Sequence, residues 1–328
     1  MAGDAVTGAR TRLGPVGTLL VRRGAMAVLL LFAVSALTFV LVGLIPGDPA
    51  ADILGSQATT DQYAALDQRL GLDRPIWTQY GGWLAHAVRG DLGSSLISGT
   101  PVTTLLDSAL SVTVPLVLGA LVLSTVLGVG LGVLAATRGG FAGRIVDAGS
   151  LVGLALPDFW IALVLSEYFG VRLGWLPATG FVPFGQSPVD WFASLVLPWV
   201  TLAVAGAASI AKQTRNCVDD VLHRDFVDAL LVDGIGRGRI LVRHVLRNAA
   251  VPVVATVGVS FVAVLGGTVI VENVFALPGL GRAAVSATTQ HDLPVLVGCA
   301  VYFCIAVVLV NLATDLAYGA LNPRARVS

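Results

Sequence analysis

Five stretches of the chain run for some twenty residues or more without a charge: Gly24–Pro46, Ser108–Thr137, Trp191–Ala211, Asn248–Val271 and Leu293–Thr314. A bilayer core of about 30 Å needs roughly 20 apolar residues in helical form, so each stretch predicts a membrane-spanning helix. A sixth candidate runs from about Ile145 to Gly170. It holds Asp147, Asp158 and Glu167, but the eight residues Phe159–Ser166 between the last two carry no charge. It is read as a sixth span with a polar insert. Pro46-Gly47-Asp48-Pro49 stops the first helix.

Three of the connecting segments carry information. The first, about Gly47 to Asp107, contains Trp77, Tyr80 and Trp83, aromatic residues of the kind that sit at the headgroup level. Within it Arg89-Gly90-Asp91-Leu92-Gly93 reads as a turn. The second, Lys212 to Arg247, mixes Asp219, Asp220, Asp225, Asp228 and Asp233 with seven basic residues. Inside it, Asp225–Val232 predicts a short helix. Phe226, Ala229, Leu230 and Asp233 fall at i, i+3, i+4 and i+7, a single face, and Gly234 stands where a helix turns sharply. Such a helix either docks in a partner's groove or folds back on the membrane. The third segment, Glu272 to Arg282, carries the turn signature Pro278-Gly279-Leu280-Gly281 and reads as a re-entrant or interfacial loop.

Basic residues set the orientation. With the N-terminus inside, the inner segments hold fifteen Arg or Lys and the outer ones five, namely Arg69, Arg74, Arg89, Arg172 and Arg282. That bias places both termini in the cytoplasm. The first apolar run is too long for the h-region of a signal peptide, and no A-x-A site follows, so it reads as an uncleaved anchor.

Composition sharpens the picture. Of 328 residues 55% are apolar and 12% charged, against about 25% charged in soluble domains; the mean hydropathy is +0.84. This excludes an ordinary soluble enzyme and a disordered chain. Twenty basic and twenty acidic residues cancel, which leaves no field for nucleic acid. Three cysteines without paired spacing give no disulfide framework and no metal site.

Bond chemistry is scarce. Lys212 is the only lysine and Gln213 follows it, so no Walker A motif exists and ATP is not bound by that route. No His-Glu-x-x-His or Gly-x-Ser-x-Gly is present, and no catalytic residue is predicted. Gly128 with Gly132, and Gly149 with Gly153, read as close helix packing. Asp158 at mid-span costs a few kcal/mol unless paired or wet, and so marks an aqueous path. Pro157 before it interrupts the helix. Glu167 and Asp315 lie near span ends, where they reach the interface.

Several stretches in order along the chain then show a likeness. They are Gly47-Asp48-Pro49, Gly71-Leu72-Asp73-Arg74-Pro75, Gly90-Asp91-Leu92-Gly93-Ser94-Ser95, Gly174-Trp175-Leu176-Pro177 and Arg243-His244-Val245-Leu246-Arg247-Asn248-Ala249 with Pro252. Gly266-Gly267, Glu272, Val274-Phe275, Pro278-Gly279-Leu280-Gly281-Arg282, Asp315-Leu316-Ala317-Tyr318 and Asn322-Pro323-Arg324 complete them. The chain resembles the permease subunits of bacterial ABC importers for peptides and nickel, of the dipeptide/oligopeptide "B" type. The family's cytoplasmic signature, the EAA loop, maps to Asp228-Ala229-Leu230 and Gly234. Where peptide-type members usually carry basic residues, this chain has Asp228, Leu231 and Asp233.

The resemblance implies an all-α integral membrane protein with six transmembrane helices in a type I ABC importer permease-like bundle. Its parts would be a cytoplasmic segment 1–23, a first span 24–46, an extracytoplasmic region 47–107, a five-helix core 108–319 with a coupling loop 212–247, and a cytoplasmic tail 320–328. Asp225, Phe226, Asp228, Ala229, Leu230 and Gly234 would couple to an ATPase. Asp158, Pro157 and Glu272 are candidates for the translocation pathway. Implied partners are a second permease in a heterodimer, two ATPase subunits that bind the ATP and Mg, an extracytoplasmic substrate-binding lipoprotein, and membrane lipid. No cofactor is expected in this chain, and the expected location is the bacterial plasma membrane. Peptides are the expected cargo, with nickel chelates, glutathione and oligosaccharides as alternatives. A secondary carrier or a membrane scaffold are alternatives of another class.

Overall fold

The computed structural model describes residues 15–44, 49–55, 58–71 and 73–321. The first fourteen residues, the Gly47-Asp48 stop signal, Leu72 and Asn322-Pro323-Arg324 lie outside them. Helices account for nearly all the regular structure: α1 (Pro15–Val42), α2 (Pro49–Leu54), α3 (Thr60–Leu70), α4 (Ile76–Ala87), α5 (Val102–Arg138), α6 (Gly140–Ala155), α7 (Asp158–Leu165), α8 (Pro188–Leu222), α9 (Asp225–Val232), α10 (Arg237–Ile240), α11 (Leu246–Val274), α12 (Leu280–Thr289) and α13 (Leu293–Leu321). The described residues contain no β-strand, only an isolated antiparallel bridge between Ser94 and Pro101.

Five helical stretches are long and apolar enough to cross a membrane: Arg22–Val42, Val102–Arg138, Pro188–Leu222, Arg237–Val274 and Leu293–Gly319. The sixth expected span differs from a single rod. Gly143–Ala155 and Asp158–Arg172 meet at an angle of 98°. Leu156 and Pro157 are both extended there. The pyrrolidine ring forces the residue before it out of helical conformation, and Pro157 has no N–H to continue the ladder. The second arm ends in a π-helical turn, Ser166–Arg172, pinned by Ser166 Oγ donating to the Ala178 carbonyl at 2.8 Å.

The centre of the bundle is α5 against α8. Glycines let the two backbones approach. A Cβ on Gly128 would lie 2.7 Å from Ile210 Cβ, and one on Gly132 would lie 2.6 Å from the Ala211 carbonyl oxygen. At Gly119 a Cβ would overlap the Trp199 indole, whose Nε1 donates to the Pro115 carbonyl at 3.0 Å. The expected Gly128 and Gly132 packing is therefore present. Of the second pair, Gly153 meets Val204 and Ala208 of α8, whereas Gly149 faces open space.

Helix α1 stands at the edge. It is joined to α13 by the Arg23–Asp315 ion pair at 2.5 Å and to α4 by aromatic packing. Tyr80 lies edge-on to Phe32 and Phe39, and its hydroxyl is 3.0 Å from Ser35 Oγ. Trp83 stacks on Tyr80 and donates to the Leu92 carbonyl. These two rings hold α4 onto α1, so of the three expected interface aromatics only Trp77, 74% exposed, is left to reach outward. Glu167 pairs with Arg172 at 3.0 Å.

The segment 212–247 is mostly helix. Helix α8 has 35 residues, about 52 Å at 1.5 Å per residue, well beyond the bilayer core. Its last turns project past Lys212. On the return, α10 runs through a π-helical turn, Leu241–Val245, into α11. Only residues 223–236 lie outside these two long rods, and they carry α9.

Candidate functional site

Two regions of the structure gather the predicted residues. The first is the α9 unit. Val227 is 4% exposed and packs into a cluster with Val218 and Val221 of α8, Ile240, Val245 and Ala249. Leu230 and Ile235 lean on the same cluster. Asp225, Phe226, Asp228 and Ala229 face out, joined by Val232, which is 88% exposed. The expected face of Phe226, Ala229, Leu230 and Asp233 is thus divided. Leu230 turns toward the anchor, and Val232 takes its place in the outward apolar surface. Which side the helix buries depends on Val227, whose partners lie on α8 and α11.

Helix α9 ends in a Schellman turn. Gly234 N donates to the Leu231 carbonyl and Ile235 N to the Leu230 carbonyl, both at 3.1 Å. Gly234 has φ +78°, a left-handed conformation that a Cβ disfavours. A Cβ there would meet nothing within 4 Å, so its constraint is backbone conformation and not space.

The second region lies at the α6–α7 break. Asp158 opens α7 and lines a recess of about 180 Å³ with Leu154, Leu202, Ala205, Gly206, Ser209, Ser260 and Val264. Its carboxylate is so near α11 that a Cβ on Gly267 would lie 3.0 Å from Oδ2. Pro157 is exposed at the bend and sets the angle at which Asp158 enters. Asp158 and Pro157 therefore act as one feature: the proline breaks the span and the aspartate begins the next arm, its charge at a helix N-terminus.

Glu272 departs from the pathway expectation. It is 0% exposed. Its Oε1 accepts from Thr113 Oγ1 at 2.7 Å and its Oε2 from Arg282 N at 3.0 Å, while Thr113 Oγ1 accepts from Leu280 N at 2.8 Å. The carboxyl group thus satisfies the free N–H groups that open α12. A Cβ on Gly279 would overlap that carboxyl group, and one on Gly281 would lie 2.5 Å from Val269 Cα. The Pro278–Arg282 turn is a wrapping around a buried acid, followed directly by α12.

Sequence reasoning missed a second buried acid. Asp292, 4% exposed, accepts from Ser95 Oγ at 2.5 Å and from Leu96 N at 3.2 Å. It ties the start of α13 to the turn that precedes α5. The only signal was the Gly93-Ser94-Ser95 turn itself; nothing local in the chain links it to a residue nearly two hundred positions away.

A helical bundle with five helices long and apolar enough to cross a membrane and a sixth, broken span has the architecture of an integral membrane protein. The chain belongs to the binding-protein-dependent transport system inner membrane component family: the family's profile matches residues 128–327, and that of its N-terminal companion matches residues 17–114. It is 37% identical to a Sinorhizobium fredii protein named "Probable peptide ABC transporter permease protein", over 95% of this chain and 100% of that one. It is 35% identical to the glutathione transport system permease protein GsiC of Escherichia coli K12, over 90% and 94% of the two chains. Its fold matches a chain from the MetNI methionine ABC transporter in inward-facing conformations, with a TM-score of 0.56 at 19% identity, covering 67% of this chain and 97% of that chain. The shared fold is a type I ABC importer permease, and the chain is an integral inner membrane protein of that kind.

Proposed function

We propose that this chain forms half of the translocation path of an ATP-driven importer for short peptides. The observation that carries the reading is the α9 unit: a short helix with an outward apolar surface, anchored by Val227 and closed by Gly234, on a chain of this family. Peptide cargo is supported by the peptide permease relative at 37% identity over nearly the whole chain. Glutathione, itself a tripeptide, is the second reading, favoured by the Escherichia coli relative.

In this reading α9 and both termini face the cytoplasm, as the excess of inner arginines requires. A similar permease completes the path, two ATPase subunits bind ATP and Mg and receive the α9 helices, and an extracytoplasmic lipoprotein delivers cargo. Closure of the ATPases draws the two coupling helices together and moves the bundle from inward-open to outward-open. The chain makes no bond chemistry. It shifts between conformations whose populations the ATPases set.

Phe226, Ala229 and Val232 form the contact surface in this mechanism, with Asp225 and Asp228 beside them. Asp158 and Pro157 mark the path. The test is uptake of radiolabelled tri-alanine and glutathione by cells with the chain's gene deleted and then restored. Loss of uptake of either compound on deletion, with recovery on restoration, is expected. Equal uptake of both compounds in all strains would overturn the reading.

A further inference from the structure

On α8, Ala205, Ser209, Lys212, Asn216 and Asp219 follow one another at steps of four, three, four and three residues. That spacing puts them on one face of the helix. The face is flanked by α6. The recess at Asp158 is walled by Leu154 and by α8 residues up to Ser209. A second recess, of about 350 Å³, is lined by Asp147, Leu151, Lys212, Arg215, Asn216 and Asp219. Helices α6 and α8 contribute to both, while Val259, Ser260, Ala263 and Val264 of α11 close the first only, and the recesses follow one another as a groove along α8. The opposite face of α8 is glycine-packed against α5. Lys212, Asn216 and Asp219 stand past the uncharged span Trp191–Ala211, at its wet end, and Asp158 at mid-span is costly unless the recess it lines is wet too.

Two of the charges in the groove match each other. Arg215 is ion-paired with Asp147, and Asp219 lies 3.7 Å from the His223 ring on the next turn. Asp158 and Lys212 form no ion pair with another described residue. They are opposite in sign. Asp158 stands level with Leu202 to Gly206, and Lys212 is six to ten residues further along α8. At 1.5 Å per residue that is about 9–15 Å. An extended peptide covers about 3.3–3.6 Å per residue, and the four-carbon stem of a lysine adds several ångströms of reach.

We infer that Asp158 and Lys212 are a two-point track for cargo with an ammonium group at one end and a carboxylate at the other, a peptide of about two to four residues. Asp158 takes the ammonium group and Lys212 the carboxylate, which leads toward the cytoplasmic end. The inference rests on the importer reading and adds to it the termini that the path itself recognises. Ser209 lies between the two charges and offers a hydroxyl to the peptide backbone.

The test is uptake of radiolabelled tri-alanine, below saturation, by cells carrying the complete importer. Variants are Asp158→Asn, Lys212→Gln and Lys212→Arg, with membrane abundance measured by immunoblot. Losing one charge-assisted contact lowers uptake about tenfold for the Asn and Gln variants at unchanged abundance. Lys212→Arg keeps uptake within about threefold. Lys212 is exposed and supports no packing, so the Gln and Arg pair decides the matter even if Asp158→Asn lowers abundance. Wild-type uptake in Lys212→Gln overturns the track while leaving the importer reading intact. Equal loss in Lys212→Gln and Lys212→Arg also overturns it. Absence of tri-alanine uptake in the wild type overturns the peptide reading and the track with it.

Discussion

Glu272→Ala is expected to lower the thermal unfolding midpoint of the detergent-purified protein by roughly 6–12 °C. The substitution removes both acceptors at once. The Thr113 hydroxyl and the Arg282 N–H lose their partner inside a site closed to solvent. Two buried donors left unmade cost about 3 kcal/mol together, and a chain of this size loses about 2–4 °C per kcal/mol. The start of α12 is freed with them, since Leu280 N depends on the same threonine. Glu272→Gln keeps the volume but turns one acceptor into a donor, so its midpoint falls between wild type and alanine. Gly279→Ala moves the midpoint in the same direction by another route, because a Cβ there overlaps the Glu272 carboxyl group. Differential scanning fluorimetry checks all three. An unchanged midpoint for Glu272→Ala contradicts the cap.

Gly234→Val is expected to abolish most transport, by tenfold or more, while the protein stays in the membrane at its normal level. The residue has φ +78° and faces open space, so the fold away from this turn has no quarrel with a larger side chain. A β-branched residue in that conformation costs about 1–3 kcal/mol, enough to unmake the turn. The bonds from Gly234 N and Ile235 N to the Leu231 and Leu230 carbonyls are then lost, and α9 loses its fixed angle. Asparagine tolerates left-handed backbone better than other residues with a Cβ. The order of uptake is therefore Gly, Asn, Ala, Val. Uptake and immunoblot on the same membranes read this out. Wild-type uptake by Gly234→Val removes the turn from the coupling mechanism.

The bundle was legible because its determinants are local. A span is twenty residues without a charge, and Gly128 and Gly132 declare a close contact wherever the partner helix lies. The α9 helix was legible for the same reason: its period and Gly234 are contained in ten residues. What escaped depends on residues far apart in the chain. Pro157 signalled an interruption, but the right angle between the two arms is set by extended backbone at both Leu156 and Pro157. Glu272 stood among the pathway candidates with the family resemblance, and an acid closed off from solvent is costly. The cost is met by Thr113, some hundred and sixty positions earlier, and by the turn that folds back over it. Asp292 has the same logic with Ser95. The aromatic residues of α4 read as an interfacial set, yet Tyr80 and Trp83 are held by Phe32, Ser35 and Phe39 of α1. An isolated charge or ring in the sequence announces that it needs a partner; only the fold says which.

Gentle affinity purification of the tagged chain from native membranes, with mass spectrometry of what accompanies it, tests the central claim most directly. The account predicts a second permease of the same family, ATPase subunits and a substrate-binding lipoprotein in the eluate, and loss of the ATPase subunits alone when Val227 is replaced by Asp, which cuts the anchor of α9. Recovery of the chain by itself, stable and free of any ATPase, would contradict the account and point to a carrier or scaffold that works alone.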